Sequence, residues 1–118
     1  MKLEPLVDYC RSLPHVVEDV KWGNDLVFSI ESGKMFCVFG FDDDIYTGMS
    51  FKVDDHRFLE LTDLPQFIPA PYMARARWVY LKDKKGISNK ELKALIHRSH
   101  ELYFAKLPKK KQREFLGE

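Results

Sequence analysis

The stretch from Trp22 to Lys52 constrains the fold most, because apolar and polar residues alternate through it with the two-residue period of half-buried strands. Leu26 to Ile30 shows the alternation first, Met35 to Phe41 follows with apolar residues on both faces, and Ile45 to Lys52 alternates again. A segment that is apolar on both faces is typical of a central strand. The stretch therefore predicts three neighbouring antiparallel strands joined by short connections.

The connections within this meander have the residues of tight turns. Gly33, in the first turn, is expected to take the positive φ angle that a hairpin requires. Asp42, Asp43 and Asp44 form the second turn, and Gly40 and Gly48 inside the strands indicate bulges or close backbone approach.

The flanking segments predict helices and two further strands around the meander. Ser88 and Glu91 have the spacing of a capping box at the start of the last helix. Three prolines predict an irregular loop over residues 65–75. The predicted elements are helices over 3–12, 54–64 and 88–107, and strands over 16–22 and 77–82. The fold class is α+β, an antiparallel sheet with helices on one face, with one domain over 1–108 and a basic, solvated tail over 109–118.

Several functional classes have no support in the sequence. No apolar run approaches the ~18 residues of a membrane helix, and the first residues lack an apolar signal core. We therefore expect a cytoplasmic protein with no membrane contact, in which Cys10 and Cys37 are reduced and buried.

We also predict no catalytic site, no metal and no cofactor. His15, His56, His97 and His100 are interpreted as solvated surface residues with no thiol placed beside them. The three consecutive aspartates lack the spacing of a calcium loop, and no phosphate-binding glycine motif is present. The chain is therefore expected not to be an enzyme.

Charge is the strongest functional signal, because it is unevenly distributed. Residues 1–73 hold 6 Lys and Arg against 13 Asp and Glu, a balance of −7, whereas residues 74–118 hold 13 against 5, a balance of +8. Two interpretations stay open: a solvated face with a solubilising tail, or a surface that binds phosphates. Trp78 and Tyr80 would stack on bases if they were exposed, and would belong to the core if they were buried.

The sequence resembles the MmcQ/YjbR family over nearly its whole length. The resemblance rests on the order and spacing of several short motifs: Leu13-Pro14, Trp22-Gly23, Gly33-Lys34-Met35-Phe36, Phe51-Lys52, Pro69-Ala70-Pro71-Tyr72-Met73, Arg77-Trp78, Ser99 and Leu107-Pro108-Lys109-Lys110. It implies a compact fold similar to the frataxin-like and double-wing arrangements, and a DNA-binding role.

Two hypotheses about function follow. The first is a DNA-binding domain of low sequence specificity, with these candidate contact residues: Arg75, Arg77, Trp78, Lys82, Lys84, Lys85, Lys93, Arg98, Lys109, Lys110 and Lys111. The second is a protein-interaction module that uses an uncovered apolar sheet face with Phe36, Val38 and Tyr46. In either case the chain is expected to be a monomer or a weak homodimer.

Overall fold

A six-stranded antiparallel sheet organises the computed structural model, which describes residues 1–117. Its strand order is β1-β2-β3-β4-β6-β5, so the predicted meander forms one continuous half of the sheet. The strands are β1 (Val16–Lys21), β2 (Asp25–Ile30), β3 (Met35–Asp42), β4 (Ile45–Lys52), β5 (Phe67–Pro69) and β6 (Trp78–Leu81). The predicted central strand, β3, lies between β2 and β4.

The helices are α1 (Glu4–Ser12), α2 (Asp55–Thr62), α3 (Asn89–Phe104) and α4 (Lys109–Phe115). Helix α3 packs across β3 and β4, and α1 packs beside it and on β1. The Ser88 hydroxyl accepts a 3.1 Å hydrogen bond from the Glu91 amide, as the capping box predicts. The α+β class is confirmed, with α1 and α3 covering one sheet face.

The covered face of the sheet is fully apolar. Its cross-strand rows run from Phe28 through Cys37 and Phe51 to Val79, and each of these residues is 0% exposed. Cys10 of α1 is also fully buried, and both cysteines are free thiols, as expected. Burial raises the pKa of the Cys37 thiol well above its usual value, which holds it in the unreactive protonated form.

Two local predictions need correction. Ser32, not Gly33, takes the positive φ angle of the β2–β3 turn, at 63°. Gly33 packs closely, since a Cβ there would lie 3.0 Å from the side chain of Leu107. Residues 67–69, predicted as loop, form the edge strand β5, in which Pro69 is tolerated because edge strands need fewer donors.

The C-terminal segment predicted as a solvated tail contains helix α4. The ring of Phe115 stacks on the ring of His15, with centroids 4.1 Å apart, so α4 packs back on the domain. Glu118 lies outside the described residues, and the boundary after residue 108 stays a prediction.

Within residues 1–117, no helix combines the length and the apolar character that crossing a bilayer requires.

Candidate functional site

Trp78 belongs to the core. Its side chain is 1% exposed, and its indole Nε1 donates a 2.8 Å hydrogen bond to the Tyr103 hydroxyl. The prediction that Trp78 contacts nucleic acid is therefore wrong, because a ring enclosed by protein cannot stack on a base. Tyr80 is partly buried and faces away from the helices.

Both arginines nearest α2 are occupied by carboxylates of the acidic N-terminal half. Arg98 makes two hydrogen bonds to the carboxylate of Asp54, at 2.9 and 3.0 Å, and Arg77 lies 3.2 Å from Asp55. The hydrogen bonds from Arg98 lower the pKa of Asp54. These pairs link the start of α2 to α3 and to the residue before β6, and they offset the charge of two of the predicted cations.

The remaining predicted cations fall into two groups at opposite ends of α3. The first, the β6–α3 group, consists of Lys82, Lys84, Lys85 and Lys93. The Nζ of Lys84 donates a hydrogen bond to the carbonyl oxygen of Lys2, and the Nζ of Lys93 lies 5.8 Å from the ring centroid of Tyr9. Two of its four members are thus engaged by the N-terminal segment.

The second, the α3–α4 group, surrounds the end of α3 and the start of α4. Arg75, Lys109 and Lys110 were predicted as contact residues, and the structure adds three more. Lys34 adjoins Gly33, which packs against Leu107. The full group is Lys34, Lys52, Arg75, Lys106, Lys109 and Lys110. Lys111 of α4 is paired with Glu114 at 3.2 Å, which reduces its availability.

Lys52 and Lys106 form the centre of this group. Their ammonium nitrogens lie 6.0 and 5.0 Å from the ring centroid of Tyr103. Burial, followed by repulsion from Lys106, lowers the pKa of Lys52. Its Nζ also donates a hydrogen bond to the carbonyl oxygen of Ala76, which ties the loop that carries Arg75 to this centre.

The apolar patch proposed for protein contacts does not form. Phe36 is 0% exposed and packs edge-on against His100 of α3, with ring centroids 5.2 Å apart. Tyr46 is partly buried against Phe39 and Phe41. Only Val38 faces the open side of the sheet, because it lies opposite Val27 and Ser50 in the cross-strand register. The three side chains therefore share no surface.

A groove of about 480 Å³ occupies the sheet face opposite the helices. Most of its lining residues belong to the motifs on which the family resemblance rests. The fold brings these motifs together from distant positions in the sequence. These residues are Trp22, Met35, Ala70, Pro71, Tyr72, Met73 and Trp78, with Asp25, Val38 and Ser50 completing the lining.

His100 departs from the predicted surface position. It is 6% exposed, and its Nε2–H donates a 2.9 Å hydrogen bond to the carbonyl oxygen of Pro14. Burial lowers its pKa. His97 and His56 are exposed as predicted, and His15 is partly buried under Phe115. The helical period alone could not identify this position, because the segment after α1 covers what would otherwise be the polar side of α3.

The sequence analysis missed Lys34, Lys52 and Lys106 as interface residues, and Trp22, Tyr72 and Asp25 as groove residues. Lys34 and Lys52 lie in the acidic half and Lys106 lies in the basic half, so charge counting gave no signal for grouping the three. Trp22 and Tyr72 did carry a signal, since both belong to the motifs of the family resemblance.

Comparison with known proteins gives a consistent family assignment. The YjbR family model matches residues 11–102. A crystal structure of a Deinococcus radiodurans protein described as a DUF419 domain superposes with a TM-score of 0.81 at 26% identity, covering 98% of this chain and 87% of that one. A crystal structure of a Pseudomonas syringae protein superposes with a TM-score of 0.71 at 21% identity, covering 87% and 99%, and shares the fold. None of the curated proteins matches the sequence significantly.

Proposed function

The chain belongs to the YjbR family, and from that premise we propose that it is a non-enzymatic protein that binds DNA with low sequence specificity. The contact surface is the α3–α4 group, and its ligands are backbone phosphates. Phosphate contacts carry no sequence information, which is why low specificity is expected.

The observation that carries the proposal is the closely spaced pair of cations at Tyr103. Lys52 and Lys106 flank one ring, and neither forms an ion pair with any carboxylate of residues 1–117. Their mutual repulsion is relieved when an anion binds between or beside them. Groups whose pKa is shifted by burial and by a neighbouring charge cluster at functional sites.

Neighbouring residues extend this centre into a surface. Lys109 and Lys110 are exposed in the first turn of α4, and Arg75 is exposed on the loop held by Lys52. None of the three forms an ion pair with a described residue. All are therefore available to release condensed counterions from DNA.

Lys82 and Lys85 of the β6–α3 group, together with the nearby Lys90 of α3, offer a matched control. Lys93 lies eleven positions before Phe104, the last residue of α3, which corresponds to roughly 16 Å along the helical axis, and Lys106 lies beyond that end. Two exposed acidic residues lie on α3. Glu91 lies two positions before Lys93, and Glu101 lies between Lys93 and Lys106. The simplest binding geometry is therefore one in which the DNA phosphates contact the α3–α4 group alone.

The test is titration of a labelled DNA duplex at about 50 and about 200 mM salt, with two triple variants. We expect binding at the lower salt, and a loss of about 2–3 from the slope of log K against log salt in Lys106→Ala/Lys109→Ala/Lys110→Ala. The control Lys82→Ala/Lys85→Ala/Lys90→Ala removes the same charge from three exposed positions. It should retain nearly the full slope.

Two results contradict the proposal. Absence of duplex binding by the unmodified protein at the lower salt rejects DNA as the ligand. An equal loss in both triple variants rejects the α3–α4 group as the interface, because overall charge would then explain the binding.

A further inference from the structure

The groove on the open sheet face has the features of a small-molecule site, and it lies apart from the α3–α4 group. Its volume of about 480 Å³ falls within the usual range for ligand pockets, and its lining is mainly apolar and aromatic. We propose that this groove binds a small organic cation of the alkylammonium type. The proposal does not depend on DNA binding.

Two exposed aromatic side chains border the groove. Trp22 is 68% exposed, and Tyr72 is fully exposed at 104%. Leaving such large apolar surfaces in water is unfavourable, so their placement on one groove indicates a binding role. The negative faces of aromatic rings attract cations, with Trp the strongest.

The backbone holds both aromatic residues in unusual conformations. Trp22 has a φ angle of 51° and Tyr72 one of 65°, in the left-handed region that bulky residues rarely adopt. Backbone strain of this kind concentrates at ligand sites, where the surrounding structure maintains it. Trp22 lies in the turn between β1 and β2, and this turn leads directly into Asp25 at the start of β2.

Asp25 supplies the charge complementarity. Among the described residues that line the groove, Asp25 alone carries a formal charge at neutral pH, and its carboxylate forms no ion pair within residues 1–117. Lys21 lies opposite Asp25 in the β1–β2 register but is not paired with it. The acidic turn at Asp42–Asp44 lies at this same end of the sheet, and it strengthens the negative potential there.

This lining discriminates among ligand classes. No lysine or arginine lines the groove, so a phosphate or a carboxylate would meet only the repulsion of Asp25. A neutral ligand would leave the partly buried carboxylate uncompensated. An alkylammonium group satisfies the carboxylate and the aromatic faces together, while its carbon atoms contact the floor formed by Met35 and Val38.

The test uses choline as the probe and 3,3-dimethyl-1-butanol as its neutral counterpart of the same shape. Binding is followed by the fluorescence of Trp22 and by the amide and indole resonances of the protein. The other tryptophan, Trp78, also lines the groove, so the indole resonances of Trp22 and Trp78 are followed separately. We expect choline to shift the resonances of Trp22, Asp25 and Tyr72, and the neutral compound to bind at least about tenfold more weakly.

Variants assign the contacts. Asp25→Asn keeps the size of the side chain and should weaken choline binding about tenfold, whereas Asp63→Asn at the end of α2 should leave it unchanged. Tyr72→Ala should also weaken binding, and the variant should fold normally because Tyr72 is fully exposed.

Three outcomes overturn the proposal. Equal binding of choline and its neutral counterpart would show an apolar site without charge recognition. Resonance shifts with adenosine monophosphate but not with choline would show a nucleotide site. Unchanged choline binding in Asp25→Asn would remove the carboxylate from recognition. Retained DNA binding in any of these cases would leave the proposed function unaffected.

Discussion

The Trp78 indole donates its N–H to the Tyr103 hydroxyl across 2.8 Å, joining the first residue of β6 to the last turn of α3. The ammonium groups of Lys52 and Lys106 in turn lie close to the Tyr103 ring. This buried hydrogen bond therefore holds β6 against α3 beneath the α3–α4 group.

Tyr103→Phe should destabilise the protein by about 1–3 kcal/mol, because it leaves the buried Trp78 N–H without an acceptor. Urea denaturation measures the change. Tyr80→Phe serves as the control, since the Tyr80 hydroxyl makes only a long 3.4 Å contact with the carbonyl oxygen of Thr47. A loss in Tyr103→Phe no larger than that of the control would contradict the role assigned to the bond.

Ser99→Ala should cost about 1–3 kcal/mol of unfolding free energy. The Ser99 hydroxyl is fully buried, donates to the carbonyl oxygen of Phe36 at 2.7 Å and accepts from the Lys52 amide at 3.1 Å. Its loss leaves two strand groups unsatisfied. Ser12→Ala, which removes an exposed hydroxyl bonded to Tyr9, should change stability by less than about 0.5 kcal/mol in the same assay.

Gly48→Ala should destabilise the protein by about 1–3 kcal/mol through overpacking, since a Cβ at this position would overlap the Tyr80 hydroxyl. Thermal denaturation of Gly48→Ala and of Gly48→Ala/Tyr80→Ala checks the cause. Truncating Tyr80 should recover part of the loss relative to Tyr80→Ala alone. Strictly additive losses would place the strain elsewhere.

His100 should make stability fall as the pH falls below its ordinary pKa of 6.5. Burial lowers its pKa in the folded state, so the unfolded chain binds the proton more tightly and acid favours unfolding. The contribution is fully present above pH 6.5 and is lost as the pH drops through the folded-state pKa.

Denaturation series between about pH 5 and 8 measure this dependence. His100→Gln, which can still donate to Pro14, should flatten the profile relative to the unmodified protein. His56→Gln, at an exposed position, should retain the original slope. An unchanged slope in His100→Gln would mean that His100 does not contribute to the acid sensitivity.

The alternation of the meander predicted most of the fold because side-chain period and strand pairing are local properties. The Gly40 bulge and the Asp42–Asp44 turn appear as expected, with a register shift at Gly40/Phe41 and positive φ angles at Asp43 and Asp44. Strand β5 was not predicted because Phe67–Pro69 is short and because it is stabilised by pairing with β6, which lies further along the chain.

The candidate sites were less accessible from the sequence. Counting charges correctly located a basic C-terminal region, but it could not show that Arg77 and Arg98 pair with Asp55 and Asp54. Nor could it show that Lys52, far away in the acidic half, joins Lys106 around Tyr103. These groupings depend on which residues meet in space.

The sequence by itself determined the α+β class, the meander and the capping of α3, because hydrophobic period, turn residues and caps act over a few neighbouring positions. Only the tertiary structure decided which cations remain unpaired and which sheet face stays open. Those properties arise when α1 and α3 cover one face and leave Trp22, Asp25 and Tyr72 on the other. Such contacts join residues that are distant along the chain, and no local pattern encodes them.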